Sequence, residues 1–239
     1  MSIDTLFLDA GGVLVHPSWT RVSAALADAG IEVSAARLAA AEPHAMRVLD
    51  EATVVGATDD RKRGWMYFNL ILEQVGVELS EQTDVALGVL RDYHREQNLW
   101  EHVEADVVPA LEGLRARGLR MVVVSNANGR LRHLFERLDL ARWFDALLDS
   151  HEWGVEKPDP RLFRHALAAS GAQAARTVHV GDLYHVDVAG ARSAGLAHAV
   201  LYDAANLYPD ADCPRIHRLA DLTPWLNGIG GRASAKSTP

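Results

Sequence analysis

Residues 6–14 read LFLDAGGVL, and this stretch decides the fold that we predict. A short apolar run rich in strand-forming residues ends at a carboxylate, Asp9. Two glycines, Gly11 and Gly12, then allow the backbone to turn and to approach a ligand closely. Because ligands bind at the carboxyl ends of the strands in a parallel sheet, Asp9 is a candidate functional residue.

Strand and helix patterns alternate in the second half of the chain. After a first strand at Thr5–Asp9, apolar runs predict four further strands at residues 119–124, 146–148, 177–180 and 197–201. Helical periodicity predicts helices at residues 106–117, 129–138, 160–170 and 188–194. Strands that alternate with helices imply right-handed crossovers between parallel neighbours. We therefore predict an α/β fold, a Rossmann-like parallel sheet with helices on both faces.

Residues 16–104 show helical periodicity and no strand pattern, which predicts an all-helical insert. Helix starts are predicted near Ser18, Ser34, Thr58 and Ser80, and the second helix should be interrupted near Pro43. The sheet core is then assigned to residues 1–15 and 105–228. Residues 229–239 are small and polar, and we predict a disordered tail there.

Composition excludes several classes of function. The 239 residues are 49% apolar and 23% charged, and their formal charge of −8 opposes a nucleic-acid partner. Cys213 is the only cysteine, so no intramolecular disulfide can form. No basic segment leads into an apolar signal region, and no stretch is apolar enough to cross a membrane. We expect a cytoplasmic protein.

Residues whose side chains could take part in catalysis or metal binding stand at or soon after the ends of four of the five predicted strands. Because such strand ends converge on one edge of a parallel sheet, these residues are expected to lie together. They are Asp9, Ser125, Lys157, Asp182 and Asp187.

This set of side chains suits a metal ion and a phosphate. The carboxylates of Asp9 and Asp182 can hold a hard cation such as Mg²⁺, which binds few protein oxygens and keeps positions for water and phosphate. Lys157 can contact phosphate oxygens by charge, and Ser125 by its hydroxyl together with the backbone amide of Asn126. Such a site would help an anionic nucleophile to attack a phosphate dianion.

Four segments together resemble a known family. LFLDAGGVL, VVVSNAN, EKPDP and HVGDLYHVDVAGA, in this order, resemble the four motifs of the haloacid dehalogenase superfamily of hydrolases. The resemblance covers residues 3–201. The helical insert lies between the first and second motifs and resembles the small cap of a subfamily that includes phosphatases, a phosphonatase and dehalogenases.

The resemblance implies a role for each matching residue. Asp9 matches the nucleophile that forms a covalent aspartyl intermediate. Ser125 and Lys157 match the residues that bind the phosphoryl group and shield the charge of the nucleophile. Asp182 matches a metal ligand, and Asp187 matches a residue that supports the site.

Gly11 is where this chain departs from the family. The resemblance implies that its backbone carbonyl binds the metal, which a glycine can do. Phosphatases of the family usually read D-x-D-G, however, and their second aspartate protonates the leaving group and later activates water. Acid–base help of this kind is typically worth about 10²–10⁴-fold, so DAGG affects the expected reaction more than the expected fold.

Three hypotheses follow from DAGG. In the first, which we favour, the protein is a Mg²⁺-dependent phosphatase of a small phosphorylated metabolite, with water or His16 carrying the proton. In the second, it performs phosphonatase or dehalogenase chemistry. Lys62 would then form a Schiff base in a phosphonatase, whereas Asp182 argues against a dehalogenase, since dehalogenases of the family lack the metal carboxylate. In the third, it has lost catalysis and only binds a phosphorylated ligand or a partner.

Overall fold

The computed structural model describes the backbone of residues 2–234, together with their side chains except those of Trp65 and residues 230–234. The chain divides into two compact units. One comprises Met1–Val15 and Val103–Pro239, and the other comprises His16–His102. We call them the sheet unit and the helical unit.

Helices make up most of the helical unit. They are α1 (Trp19–Asp28), α2 (Ala35–Leu49), α3 (Ala52–Ala57), α4 (Asp60–Gln74) and α5 (Glu81–Gln97). Helix α5 begins with a capping box, in which the side chains of Ser80 and Thr83 each accept a backbone N–H of the other residue. The two ends of the unit are joined by paired backbone hydrogen bonds between His16 and His102, with N–O distances of 2.8 and 3.0 Å.

The predicted interruption near Pro43 was wrong, because α2 continues through this proline. Proline lacks the backbone N–H of one helical hydrogen bond, which costs about 3 kcal/mol inside a helix. Burial of one face of α2 offsets that cost, and this face consists of Leu38, Ala41, Ala45 and Leu49. The chain leaves the helix only at Asp50 and Glu51, before α3.

One parallel sheet organises the sheet unit, and among residues 2–234 it has six strands in the order β3-β2-β1-β4-β5-β6. They are β1 (Thr5–Leu8), β2 (Arg120–Ser125), β3 (Ala146–Asp149), β4 (Thr177–Gly181), β5 (His198–Tyr202) and β6 (Arg215–Ile216). The predicted α/β fold with a Rossmann-like parallel sheet is therefore confirmed. The two-residue edge strand β6 escaped prediction because it is too short to show a period.

Both faces of the sheet are buried. Along β1, Phe7 points to one face while Leu6 and Leu8 point to the other, and none of the three is exposed to solvent. Phe7 shares its buried cluster with Phe163 of the helix that follows Lys157. The helices of this unit are α6 (Val107–Ala116), α7 (Leu131–Arg137), α8 (Ser150–Trp153), α9 (Pro160–Ser170), α10 (Ala189–Ser193) and α11 (Leu222–Ser234).

The last helix corrects the predicted tail. The prediction of disorder over residues 229–239 was wrong for 229–234, which continue α11. Small residues favour disorder locally, but a helix already started at Leu222 adds one hydrogen bond for each further residue. Residues 235–239 lie outside the described part of the chain. No helix within residues 2–234 is long and apolar enough to span a membrane.

Candidate active site

Three adjacent strands bring candidate residues to the same edge of the sheet. Asp9 follows β1 directly, Ser125 is the last residue of β2, and Asp182 follows β4. Because Leu8 is paired in register with both Val123 and Val180, these strands end at nearly the same level. The polar residues that follow them are therefore neighbours in space.

Lys157 occupies the centre of the site, and its side chain is 1% exposed. Its ammonium nitrogen lies 2.8 Å from Oδ2 of Asp9 and 2.7 Å from Oδ1 of Asp187. Asp187 belongs to a π-helical turn, Tyr184–Val188, that precedes α10. One buried cation is therefore shared by two carboxylates from different elements.

Asn126 fixes the backbone of Lys157. Its side-chain Oδ1 accepts the Lys157 N–H at 2.7 Å, and its Nδ2 donates to the Lys157 carbonyl at 3.1 Å. The sequence pointed only to the backbone amide of Asn126, so this side-chain contact was missed. Ser125 is buried, and its hydroxyl donates to the Asn126 carbonyl at 3.3 Å.

The carboxylates of Asp9, Asp182 and Asp187 form an acidic cluster in which one oxygen of each lies within 4.8 Å of the others. Such a set of hard oxygen donors fits Mg²⁺. Asp182 also lies directly against Gly12, since a Cβ added there would be 2.0 Å from its Oδ2. Gly11 lies in the same turn, two residues beyond Asp9.

Burial and neighbouring charges act in opposite directions within the cluster. Burial raises the pKa of Asp9, although Lys157 opposes this, and burial with the charges of Asp9 and Asp187 raises the pKa of Asp182 well above its usual value. Burial also tends to raise the pKa of Asp187, but Lys157 and a hydrogen bond from His179 outweigh it and lower that pKa. Burial tends to lower the pKa of Lys157, but both carboxylates outweigh it, so Lys157 stays protonated.

The raised pKa values of Asp9 and Asp182 predict how Mg²⁺ affinity depends on pH. A metal ion needs the ionised carboxylates, so binding releases protons and the apparent affinity should rise with pH through the raised pKa values. Titration calorimetry in two buffers of different ionisation enthalpy measures both the affinity and the protons released. An affinity that does not change above pH 4, with no proton release, would contradict this prediction.

The same shifts set the sign of the stability change without metal. The folded protein holds protons on Asp9 and Asp182 at pH values above 3.8, where the unfolded chain has released them. Their contribution to stability therefore falls as pH rises through the raised pKa values. Asp187 acts in the opposite sense, because its lowered pKa adds stability that is fully present above 3.8. Added Mg²⁺ should recover the stability lost at higher pH.

Sequence reasoning missed two residues that shape the site. Nε2 of His179, a fully buried residue of β4, lies 2.9 Å from Oδ1 of Asp187. Gly181 leaves room for the same carboxylate, since a Cβ there would lie 2.1 Å from Cγ of Asp187. The available signal was the sequence HVGD, in which a polar residue interrupts a buried strand and a glycine precedes the aspartate.

Acidic residues and a buried lysine at the carboxyl edge of a parallel sheet define an α/β protein with a charged site suited to hydrolytic chemistry. Residues 3–195 match the family model described as a haloacid dehalogenase-like hydrolase. This match covers well over half of the chain, so the chain belongs to the haloacid dehalogenase-like hydrolase family.

Two curated relatives illustrate the similarity. Haloacid dehalogenase-like hydrolase domain-containing protein 3 of Mus musculus is 36% identical over 133 residues, which are 54% of this chain and 52% of the relative. Phosphoserine phosphatase of Thermus thermophilus is 35% identical over 156 residues, which are 65% of this chain and 60% of that protein. The chain thus spans about half the length of the first curated relatives that it matches.

A solved structure shares the fold. The HAD-hydrolase YfnB of Bacillus subtilis, solved with magnesium, superposes with a TM-score of 0.71 at 18% identity. The match covers 95% of this chain and 100% of that one. Other structures with this fold are named as phosphatases or as dehalogenases, so the fold does not choose between these reactions.

Proposed function

We propose that the protein is a Mg²⁺-dependent phosphatase that acts on a small phosphorylated metabolite through an aspartyl phosphate. The observation that carries this proposal is the contact between Lys157 and Asp9 beside the carboxylate of Asp182. A nucleophilic carboxylate, a buried cation and a second hard-oxygen ligand are the groups that phosphoryl transfer needs. The phosphoserine phosphatase among the relatives supports the same class.

The proposed reaction begins with the Asp9 carboxylate attacking phosphorus. A bond forms between a carboxylate oxygen and phosphorus while the bond from phosphorus to the leaving oxygen breaks, and water supplies the proton that the leaving oxygen takes up. Lys157 balances the charge on Asp9 and on the phosphoryl oxygens, and Ser125 hydrogen-bonds the phosphoryl group. Water then cleaves the acyl phosphate and regenerates Asp9.

The metal would be held by Asp9, Asp182 and the carbonyl of Gly11. Bound Mg²⁺ would neutralise the dianion and orient it. Asp187 takes no part in the transfer itself. It holds the Lys157 ammonium through their ion pair. We also propose that residues 16–104 act as the cap and select the substrate.

A generic aryl phosphate tests the function, because its leaving group needs little protonation. We expect Mg²⁺-dependent release of the phenol by the unsubstituted protein and none by Asp9→Asn, which removes the nucleophile while keeping its size. Release is followed by absorbance, and the acyl phosphate is trapped by acid quench. If the protein binds Mg²⁺ but releases no phenol, the hypothesis of binding without catalysis is favoured instead.

Restoring an acid at position 11 tests the cost of the DAGG motif. Gly11→Asp should raise kcat for alkyl phosphates more than for aryl phosphates, with an advantage of up to about 10²–10⁴-fold. Gly11 is a suitable position because, unlike Gly12, it is not among the described glycines with positive φ. Equal effects on the two substrate types would show that a different group already supplies the proton.

The competing reactions have less support from the structure. The nearness of Asp182 to Asp9 favours metal chemistry and therefore argues against carbon–halogen cleavage. Lys62, the candidate Schiff-base lysine, is exposed in the first turn of α4. Borohydride trapping with phosphonoacetaldehyde that requires Lys62 would favour a phosphonatase.

A further inference from the structure

We propose that His179 is a positioning residue whose Nε2–H holds Asp187 in the orientation that directs the Lys157 ammonium towards Asp9. Among the described residues, the ring of His179 hydrogen-bonds Asp187 and not Asp9, and the side chain is fully buried. It acts through Asp187 and Lys157. The proposal depends on the proposed phosphatase function only for its activity measurement.

Hydrogen bonds to both carboxylate oxygens hold Asp187 in place. Its Oδ1 lies 2.7 Å from Nζ of Lys157 and 2.9 Å from Nε2 of His179, and its Oδ2 accepts the Leu183 N–H at 3.1 Å. Asp187 is fully buried. Of the three donors that the described residues provide, two share one oxygen, so the imidazole occupies one side of Oδ1 and leaves the other to the ammonium.

The hydrogen bond to Asp187 fixes which nitrogen of the His179 ring carries the proton. Asp187 is ionised, because the Lys157 ammonium and its other donors hold it as a carboxylate that only accepts. The atom facing it must then be an Nε2–H donor. Nδ1 of His179 is buried with no hydrogen-bond partner among the described residues. The neutral ring protonated on Nε2 satisfies both observations, since a proton on Nδ1 would be a buried donor with nothing to accept it.

His179 lies among aromatic residues in the buried part of the sheet unit. It is paired in register with Phe7 of β1, and its ring makes an edge-to-face contact with the ring of Phe163 at a centroid distance of 4.9 Å. An apolar residue would suit this layer better, because burying a polar ring is costly unless it is hydrogen-bonded. The only hydrogen bond that the ring makes to the described residues goes to Asp187, the carboxylate that holds Lys157.

The consequence for Lys157 follows from competition between the two carboxylates. The ammonium is shared by Asp187 at 2.7 Å and Asp9 at 2.8 Å. Without the imidazole N–H, Oδ1 of Asp187 keeps more negative charge and is free to turn, so it holds the ammonium more strongly. Lys157 then contributes less to the nucleophile and to the phosphoryl group.

Activity measurements give the first test. His179→Phe keeps a planar ring and removes the donor, whereas His179→Gln keeps an N–H donor at a similar reach. With the aryl phosphate and Mg²⁺, His179→Phe should lower kcat by about 10–100-fold, the range typical of residues that orient a functional side chain, with KM changed less than about threefold. His179→Gln should recover most of kcat.

His198→Phe is the matched control, since His198 begins the neighbouring strand β5 and packs on Trp225. This variant should leave kcat within about threefold of the unsubstituted protein, because it changes packing at a residue that is not connected to Lys157. Equal losses in His179→Phe and His179→Gln would overturn the proposal, because the donor would then not matter. An unchanged kcat in His179→Phe would overturn it too.

Nitrogen NMR provides a test that needs no activity. The chain has only three lysines, Lys62, Lys157 and Lys236, so selective lysine labelling gives a simple Nζ spectrum in which Lys157→Met identifies the buried amine. His179→Phe should shift the Lys157 signal, while His198→Phe should not. This measurement separates failure of the positioning role from failure of the phosphatase proposal.

The tautomer of the unsubstituted protein is decisive even if His179→Phe does not fold. Histidine-labelled protein should contain a ring protonated on Nε2 alone, and His179→Gln should remove its signal. A His179 ring protonated on Nδ1, or on both nitrogens, would overturn the proposal.

Discussion

Lys157→Met is expected to lower the free energy of unfolding by about 3–5 kcal/mol at neutral pH, the range measured when one partner of a buried ion pair is removed. Methionine fills a similar volume but leaves Asp9 and Asp187 without their shared cation. The side chain of Lys157 is 1% exposed and that of Asp187 is fully buried, so water cannot replace the lost contact. The loss should shrink at acid pH, where the carboxylates bind protons.

Turnover should fall with stability in this variant. Loss of one charged group that stabilises the transition state typically costs about 10²–10³-fold in kcat. Denaturant unfolding and aryl phosphate hydrolysis measure the two effects separately. Lys62→Met, at an exposed lysine of α4, is the matched control and should stay within about 0.5 kcal/mol of the unsubstituted protein.

A second substitution tests whether the charge of Asp187 causes the instability. In Lys157→Met/Asp187→Asn one of the two uncompensated carboxylates is removed, so part of the lost stability should return while turnover stays low. If Lys157→Met is as stable as Lys62→Met, the ammonium does not stabilise the buried carboxylates and the electrostatic account of the site is wrong.

Gly12→Ala should weaken Mg²⁺ binding by about 10–100-fold, the effect typical of residues that orient a metal ligand. A Cβ at this position would lie 2.0 Å from Oδ2 and 2.5 Å from Cγ of Asp182, so the carboxylate must move. Gly12 also has a φ of +73°, which costs about 1–2 kcal/mol for a residue with a side chain. Turnover that depends on Mg²⁺ should fall accordingly.

Gly118→Ala separates these two effects. Gly118 has a φ of +74°, almost that of Gly12, and an added Cβ there meets nothing within 4 Å. In the absence of metal, Gly118→Ala should show the loss of stability caused by the positive φ alone, and Gly12→Ala should lose at least as much because the Asp182 carboxylate must also move. Only Gly12→Ala should lose Mg²⁺ affinity, measured by calorimetry and by the rise in Tm on adding Mg²⁺. Equal Mg²⁺ affinities in the two variants would show that Asp182 does not bind the metal.

Local patterns in the sequence were sufficient for much of the sheet unit. Helix α9 was predicted at Pro160–Ser170 and observed there, because Asp159 caps its start, Pro160 fits the first turn and Gly171 adopts the left-handed conformation that ends it. Asp9 and Asp182 were placed at strand ends for a similar reason, since apolar runs stop at these carboxylates. These signals lie within a few residues of the feature that they predict.

Other features depend on contacts between distant parts of the chain. Lys157 contacts both Asp9 and Asp187, which lie 148 and 30 positions away from it in the sequence. Three other contacts likewise form only after the strands have assembled. They are the hydrogen bonds of the Asn126 side chain to the Lys157 backbone, the hydrogen bond from His179 to Asp187, and the close approach of Asp182 to Gly12. No sequence pattern predicts these contacts, because each depends on where a side chain points in the folded molecule.

The sequence by itself determined the parallel sheet, the edge that carries the candidate site and the residue types gathered there, since burial periodicity and turn chemistry are local. Only the tertiary structure decided how those residues share charge. Hydrogen bonds and ion pairs act over about 3 Å, and their partners are chosen by packing rather than by order in the chain. Packing also decided that α2 continues through Pro43, against its local preference.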